Sequence, residues 1–224
     1  MGGSTVKNLQ KFGYEGQIFP VNPKYHEILG LKSYKSLADI PGELDLLVVA
    51  VPADNVLPVI HEAAEKRVKA AIIYTSGFAE IGEKGHQLQT ELVRICEDNQ
   101  IRLCGPNNMG VLSFRENVMV YTAHIPEDVK AGGLGFVGQS GSITMCALAA
   151  AYVRGIGCSY LITSGNEAML ETSDYIRFML DDENTKVIGC FVEGFKNPDK
   201  FKEIADLALE KGKPIVILKV GRSA

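Results

Sequence analysis

Apolar positions along the chain follow two alternating rhythms. Short β-branched runs at GQIFPVN (16–22), DLLVVAV (45–51), KAAIIYT (69–75) and IRLCG (101–105) predict strands. A second set follows at LGFVG (134–138), SYLIT (159–163), KVIGCFV (186–192) and PIVILKV (214–220). Between them lie amphipathic stretches of helical length at 3–12, 55–67, 84–99, 142–154, 170–181 and 198–211. In the second of these, Val56, Val59, Ile60 and Ala63 recur at i, i+3, i+4 and i+7, the stripe of a helix packed on a sheet. The alternation predicts an α/β fold of parallel sheets covered by helices on both faces.

The segment from Asn117 to Gly133 breaks this rhythm with Pro126, Asp128 and two adjacent glycines, and is expected to separate two domains at about 1–125 and 130–224. Both ends look cut. A doubly wound domain normally begins with a strand feeding its first phosphate-binding loop, whereas this chain opens on a helix and closes on GRSA directly after a strand.

Composition narrows the picture. The 224 residues are 46% hydrophobic, 8% aromatic and 22% charged, an ordinary globular balance. No apolar run approaches the roughly 18 residues of a membrane span, and the N-terminus lacks the basic and apolar sections of a secretory signal, so a cytoplasmic location is expected. The five cysteines, Cys96, Cys104, Cys146, Cys158 and Cys190, are odd in number and widely spaced. That disfavours a disulfide framework and a zinc site and predicts reduced core thiols, with no metal site. A net charge of −4 with scattered lysines gives no nucleic-acid footprint.

Glycine, asparagine and small polar residues gather just after the strands: VNPK (21–24), VPADN (51–55), TSGFAE (75–80), CGPNNMG (104–110), GQSGS (138–142), TSGNE (163–167) and VEGF (192–195). Ligands bind at that edge of open parallel sheets. Gly133, Gly135 and Gly138 spell a literal G-x-G-x-x-G. A dinucleotide turn must begin after the strand, with an acidic residue about 20 positions on; here the pattern begins too early, and Gly157 and Cys158 stand where the acid belongs. What remains is strand, Gly-Gln-Ser-Gly-Ser, helix. Ser140 or Ser142 can cap that helix, or the free amides and positive dipole end can cradle an anion.

Taken in order, VNPK, VVAVPADN, TSGFAEIG, CGPNNMG, FVGQSGS, TSGNEA, FVEG and PIVILKVGRS resemble the nucleoside-diphosphate-forming acyl-CoA synthetases, the family of ADP-forming acetate–CoA ligase and the succinyl-CoA synthetase α subunit. The resemblance implies a Rossmann-like CoA-binding domain (1–125), without its first strand, and a flavodoxin-like domain (130–224), without its C-terminal part. It implies an enzyme that interconverts acyl-CoA, phosphate and ADP with carboxylic acid, CoA and ATP through an acyl phosphate and a phosphohistidine.

Carried over residue by residue, Val21, Asn22, Pro23 and Lys24 would lie along the CoA nucleotide, although Lys24 also reads as a solvated surface lysine. Val51, Pro52 and Ala53 would flank the pantetheine arm, and Ser76, Gly77 and Phe78 would shape the same cleft, with Phe78 equally readable as core. Asn107 would face a thioester or phosphoryl oxygen, since its amide both donates and accepts. Asn108 stands where relatives often carry Cys or Ser. Ser140, Gly141 and Ser142 would hold the phosphoryl group. Glu193 would orient the phospho-accepting histidine, or simply reach solvent at the strand's end.

None of the four histidines, His26, His61, His86 and His124, matches the family's catalytic one. His26 and His86 read as loop residues. The resemblance therefore implies a partner, an ATP-grasp β subunit or domain, to supply the ADP or ATP and Mg site, and an oligomer. Two other readings stay open on the residues: a non-catalytic CoA or acyl-CoA sensing module, motivated by the missing histidine, and an NAD-dependent oxidoreductase, motivated by the literal glycine pattern.

Overall fold

The computed structural model describes residues 2–221; Arg222 and Ser223, at the end of the PIVILKVGRS stretch, lie outside them. Helix α1 (Gly2–Lys11) leads into a loop carrying a small hairpin of β1 (Glu27–Ile28) and β2 (Leu31–Lys32). A three-stranded parallel sheet follows, built from β3 (Leu46–Val49), α2 (Val56–Glu65), β4 (Ala70–Ile73), α3 (Glu83–Asp98) and β5 (Arg102–Cys104), in the order β3-β4-β5. The expected stripe seats α2: Val56, Ile60 and Ala63 are buried in one cluster with Ile73, Leu92 and Leu103. Each aliphatic side chain so buried is worth about 1.5–3 kcal/mol, which fixes the face that α2 turns to the sheet.

The stretch 16–22 does not form the expected strand. Pro20 has no N–H to give a ladder. The segment makes a single parallel bridge, Val21 beside Tyr34, in which the Asn22 N–H donates to the Tyr34 carbonyl (2.8 Å) and the Tyr34 N–H to the Pro20 carbonyl (2.9 Å).

The second sheet has six strands: β6 (Gly110–Ser113), β7 (Val118–Tyr121), β8 (Ala131–Gly138), β9 (Cys158–Thr163), β10 (Val187–Val192) and β11 (Ile215–Lys219). Helices α4 (Gly141–Val153), α5 (Thr172–Asp181) and α6 (Pro198–Glu210) connect its later strands. The order is β11-β10-β8-β9-β6-β7. Four strands run parallel, while β6 and β7 form a hairpin that adds antiparallel to β9, so this sheet is mixed rather than wholly parallel. The hairpin has no counterpart in the pattern-based expectation, and β7 falls inside the segment read there as a boundary.

Helix α1 stitches the two sheets together. Thr5 Oγ1 and the Tyr74 hydroxyl are 2.8 Å apart, and Asn8 Nδ2 donates to the carbonyls of Tyr121 (3.1 Å) and Ala123 (2.9 Å) at the end of β7. Four cysteines are buried as expected; burial pushes the thiols of Cys96 and Cys190 up to about 12 and those of Cys104 and Cys158 to about 11. Cys146 departs from that expectation and is exposed on α4. His86 lies within α3 rather than in a loop. Among the described residues no helix is long and apolar enough to cross a membrane.

Candidate active site

All three glycines of the G-x-G-x-x-G pattern lie inside β8, so none but the last borders a turn, and the dinucleotide reading has no loop to rest on. The turn proper is Gln139–Ser140, leading into α4. Ser140 holds the N-cap position with extended backbone, yet no side chain caps the helix. The Thr144 N–H and hydroxyl both donate to the Ser140 carbonyl (3.0 and 2.8 Å), closing the first turn. The earlier amides have no partner within the helix and carry its positive dipole end.

Four more loops close around this turn. A cavity of about 400 Å³ is lined by Ser140, Gly141, Ser142, Asn107 and Glu193, the residues expected to handle the phosphoryl group, together with Glu80, Asn108, Met109, Gln139, Gly165 and Asn166. The GPNN loop follows β5, and the Asn107 N–H donates to the Thr75 carbonyl (2.9 Å) at the end of β4. Met109 lies over Gly141 so closely that a side chain there would collide with its sulfur. Gly165 has φ +64°, and a Cβ on it would strike the carbonyl oxygens of Pro106 and Asn107. Two loops from different sheets thus pack backbone on backbone, with the Asn166 and Ala168 amides donating to the Pro106 and Gly105 carbonyls (2.9 and 3.0 Å).

Polar side chains lock these loops. Gln139 Oε1 accepts from the Glu193 and Gly194 amides (2.7 and 3.2 Å), and Gln139 Nε2 donates to the Gly194 carbonyl (2.7 Å), which sets Glu193 at the cavity rim. Asn107 Nδ2 donates to Asn166 Oδ1 (3.2 Å), and Asn166 Nδ2 donates to Glu80 Oε2 (2.5 Å). Glu80 also accepts from the Gly77 and Phe78 amides (2.5 and 3.2 Å). Partial burial works to raise the Glu80 carboxyl, but these donors outweigh it and hold it below the usual carboxylate range. Glu167 behaves oppositely: desolvation pushes its carboxyl up, although its Oε1 accepts from the Ser164 hydroxyl (2.7 Å) and from the Thr172 N–H and hydroxyl (3.0 and 2.5 Å).

The residues expected to meet CoA lie elsewhere, at the end of the three-stranded sheet. The turns after β3 and β4 touch each other: the Thr75 hydroxyl donates to the Val51 carbonyl (2.6 Å), and a Cβ on Gly77 would stand 3.2 Å from that of Ala53. Pro52 and Ser76 are exposed, and Val51, Ala53 and Gly77 half-buried. Phe78 is fully buried in the core, so its side chain supports the turn from beneath instead of facing a ligand. Val21, Pro23 and Lys24 are exposed on the earlier loop, where Asn22 Oδ1 accepts from the Lys24 N–H (2.9 Å) and fixes its direction. None of these residues lines the cavity, but Glu80 joins the Gly77 turn to it. Among the described residues no group of three or more His, Cys, Asp or Glu side chains converges as a cation site, and no histidine lines the cavity.

Gln139, Glu80, Asn166 and Glu167 were not singled out in the sequence. Each sits in one of the strand-end loops; the partners of Gln139 and Asn166 lie on other loops, and those of Glu80 and Glu167 include neighbours two to five residues away whose geometry spacing does not give.

A parallel three-stranded sheet and a mixed six-stranded sheet, with an uncapped helix N-terminus and a carboxylate among the loops that meet between them, define an α/β protein of two sheet units. The CoA binding domain family matches residues 1–113, and the succinyl-CoA ligase like flavodoxin domain matches residues 131–224. The chain belongs to the CoA-binding-domain family, in the two-part arrangement of the NDP-forming acyl-CoA synthetases.

It is 40% identical, over 99% of its length, to ADP-forming acetate–CoA ligase II of Archaeoglobus fulgidus, of which it covers 33%. It is 37% identical over its full length to the α subunit of ADP-forming acetate–CoA ligase I of Pyrococcus furiosus, of which it covers 48%. The chain thus spans between a third and a half of these relatives. Among solved structures, it superposes with a TM-score of 0.91 on a dinucleotide-forming acetyl-coenzyme A synthetase 1 from Ca. Korarchaeum cryptofilum in its apo form, at 35% identity, covering 99% of this chain and 48% of that one. The same synthetase is known in complex with phosphate and ADP.

Proposed function

We propose that this chain is the CoA-binding and phosphoryl-handling part of an ADP-forming acyl-CoA synthetase. The observation that carries the reading is the convergence, in one cavity, of the uncapped α4 N-terminus, Asn107 and Glu193 from three separate loops. The α4 amides and the Ser140 and Ser142 hydroxyls would take the phosphoryl oxygens, donors fixed in place before charge develops. Asn107, held by Asn166, would face the acyl oxygen. Glu193, set by Gln139, would accept an N–H from an incoming histidine and orient it; that carrier would enter from outside the cavity, since no histidine lines it.

CoA itself would supply the thiol, bound along Val21–Lys24 and the Val51–Ala53 and Ser76–Gly77 turns of a first domain (1–125). The phosphoryl cavity would belong mainly to a second (130–224). An ATP-grasp subunit or domain would provide the ADP or ATP and Mg site, a reading supported by relatives named as α subunits. The substrate would be a small carboxylic acid, in an oligomeric enzyme of the cytoplasm.

Isothermal titration of this protein with CoA and, separately, with inorganic phosphate tests the assignment. Saturable binding of both is expected, with phosphate lost and CoA retained in Ser142→Glu. Absence of CoA binding refutes the first half, and phosphate binding unaffected by Ser142→Glu refutes the second. A pure sensing role predicts CoA binding alone.

A further inference from the structure

Behind the GPNN loop lies a pair of buried polar side chains that the phosphoryl reading does not use. Asn108 is 5% exposed and lines the cavity. Its Nδ2 donates to Cys104 Sγ (3.5 Å), and its Oδ1 has no partner among the described residues. The Cys104 thiol donates in turn to the Thr163 carbonyl (3.7 Å). A buried amide oxygen left unpaired costs about 1–3 kcal/mol. Asn107 beside it is exposed, with its Nδ2 donating to Asn166, so the two consecutive asparagines stand in different conditions.

We propose that the Asn108 carboxamide is a second recognition group for the reacting phosphoryl oxygen, turning over so that Nδ2 donates into the cavity alongside the α4 amides. The turn is cheap because a thiol both donates and accepts. Cys104 holds the amide N–H in one orientation and, on releasing the Thr163 carbonyl, can give its S–H to Oδ1 in the other. Burial pushes this thiol up to about 11, so the proton it would give is present throughout the neutral range. The turned state gives up a weak N–H···S contact, the long S–H···O contact to Thr163 and an orphaned oxygen for a charge-assisted bond and a satisfied oxygen. Asn108 then grips an anion from β5, independently of the helix terminus that grips it from β8. The inference rests on the phosphoryl reading of the cavity and extends it to a buried residue on its wall.

Inorganic phosphate titrated into the protein as it stands is the test. Asn108→Asp preserves shape but replaces the donor with a carboxylate, and Asn108→Ala removes it. Both are expected to weaken phosphate about tenfold or more, while CoA affinity stays within about twofold. Asn108→Ser, which keeps a hydroxyl donor, is expected to fall between Ala and wild type. In the wild type, the Asn108 side-chain amide resonance should shift as phosphate is added. Phosphate affinity within about twofold of wild type in both Ala and Asp variants overturns the inference while leaving the α4 cradle standing. If the wild type takes no phosphate at all, the cradle reading falls and this one with it. Should the Asp variant fail to fold, the amide resonance and the order Ala, Ser, wild type decide the matter.

Discussion

The two sheets present ligand-facing edges of different construction. At the end of the three-stranded sheet, Pro52, Ser76 and Lys24 stand exposed on turns held mainly by backbone and short hydroxyl contacts. At the end of the six-stranded sheet, side chains bond across loops, Gln139 to 193–194 and Asn166 to Asn107 and Glu80, while Glu167 locks its own loop through Ser164 and Thr172. An open edge accommodates a long, flexible ligand along its length. A locked one keeps donors in place for a small charged group, where misplacement is costly.

The largest expected contrast comes from two glycines. Gly165→Ala forces a left-handed residue and drives a Cβ into the Pro106 and Asn107 carbonyls; a loss of about 2–4 kcal/mol is expected in urea denaturation. Gly77→Ala, at φ +105° but meeting only the Ala53 methyl at 3.2 Å, should cost about 1–2 kcal/mol. Equal losses would erase the distinction between the two edges.

Next in size is Gln139→Ala, which strips two amides of their acceptor and should cost about 1–2 kcal/mol. Hydrogen exchange is expected to speed up at Glu193 and Gly194 and stay unchanged at Gly77. A uniform increase would mean that Gln139 supports the whole domain rather than this loop.

Smaller, and opposite in sign, are two pH effects. Glu80 is held below its ordinary value, so its contribution is present above about pH 4.3 and is lost as pH falls through the lower folded value. Glu167 is raised, so its contribution is complete below about pH 4.3 and is lost as pH rises through the higher folded value. Urea midpoints followed from about pH 3 to 8 should lose the acid-side slope in Glu80→Gln and the neutral-side slope in Glu167→Gln. The same slope in both variants and wild type would contradict the assignment. Smallest is Lys24→Ala, expected to change stability by less than about 0.5 kcal/mol and to weaken CoA about fivefold; unchanged CoA affinity would make it a solvated surface lysine.

The strand-and-helix rhythm was legible wherever one face is buried, as at Val56, Ile60 and Ala63, because burial imposes a period. It misled at 16–22, where Ile18, Phe19 and Val21 read as a short apolar run but Pro20 removes the ladder donor. It passed over 110–121, where Gly110–Ser113 and Val118–Tyr121 join through the short turn Phe114–Asn117 with no helix between them, outside the strand-and-helix alternation. The cavity's first layer was legible because glycine and serine after a strand carry their chemistry in the backbone. Gln139 and Glu80 were not, since a carboxamide or carboxylate takes its meaning from whichever loop the fold sets against it.

The β6–β7 hairpin gives that dependence a practical edge. Strand β6 lies within the stretch matched as a CoA binding domain, yet its hydrogen bonds go to β9 of the other sheet. A protein engineer who excised residues 1–113 as a module would carry away a bare strand and leave β9 with β8 as its one remaining partner. Any graft is therefore best attempted with both sheets as one cassette, inheriting both edges from the same parent.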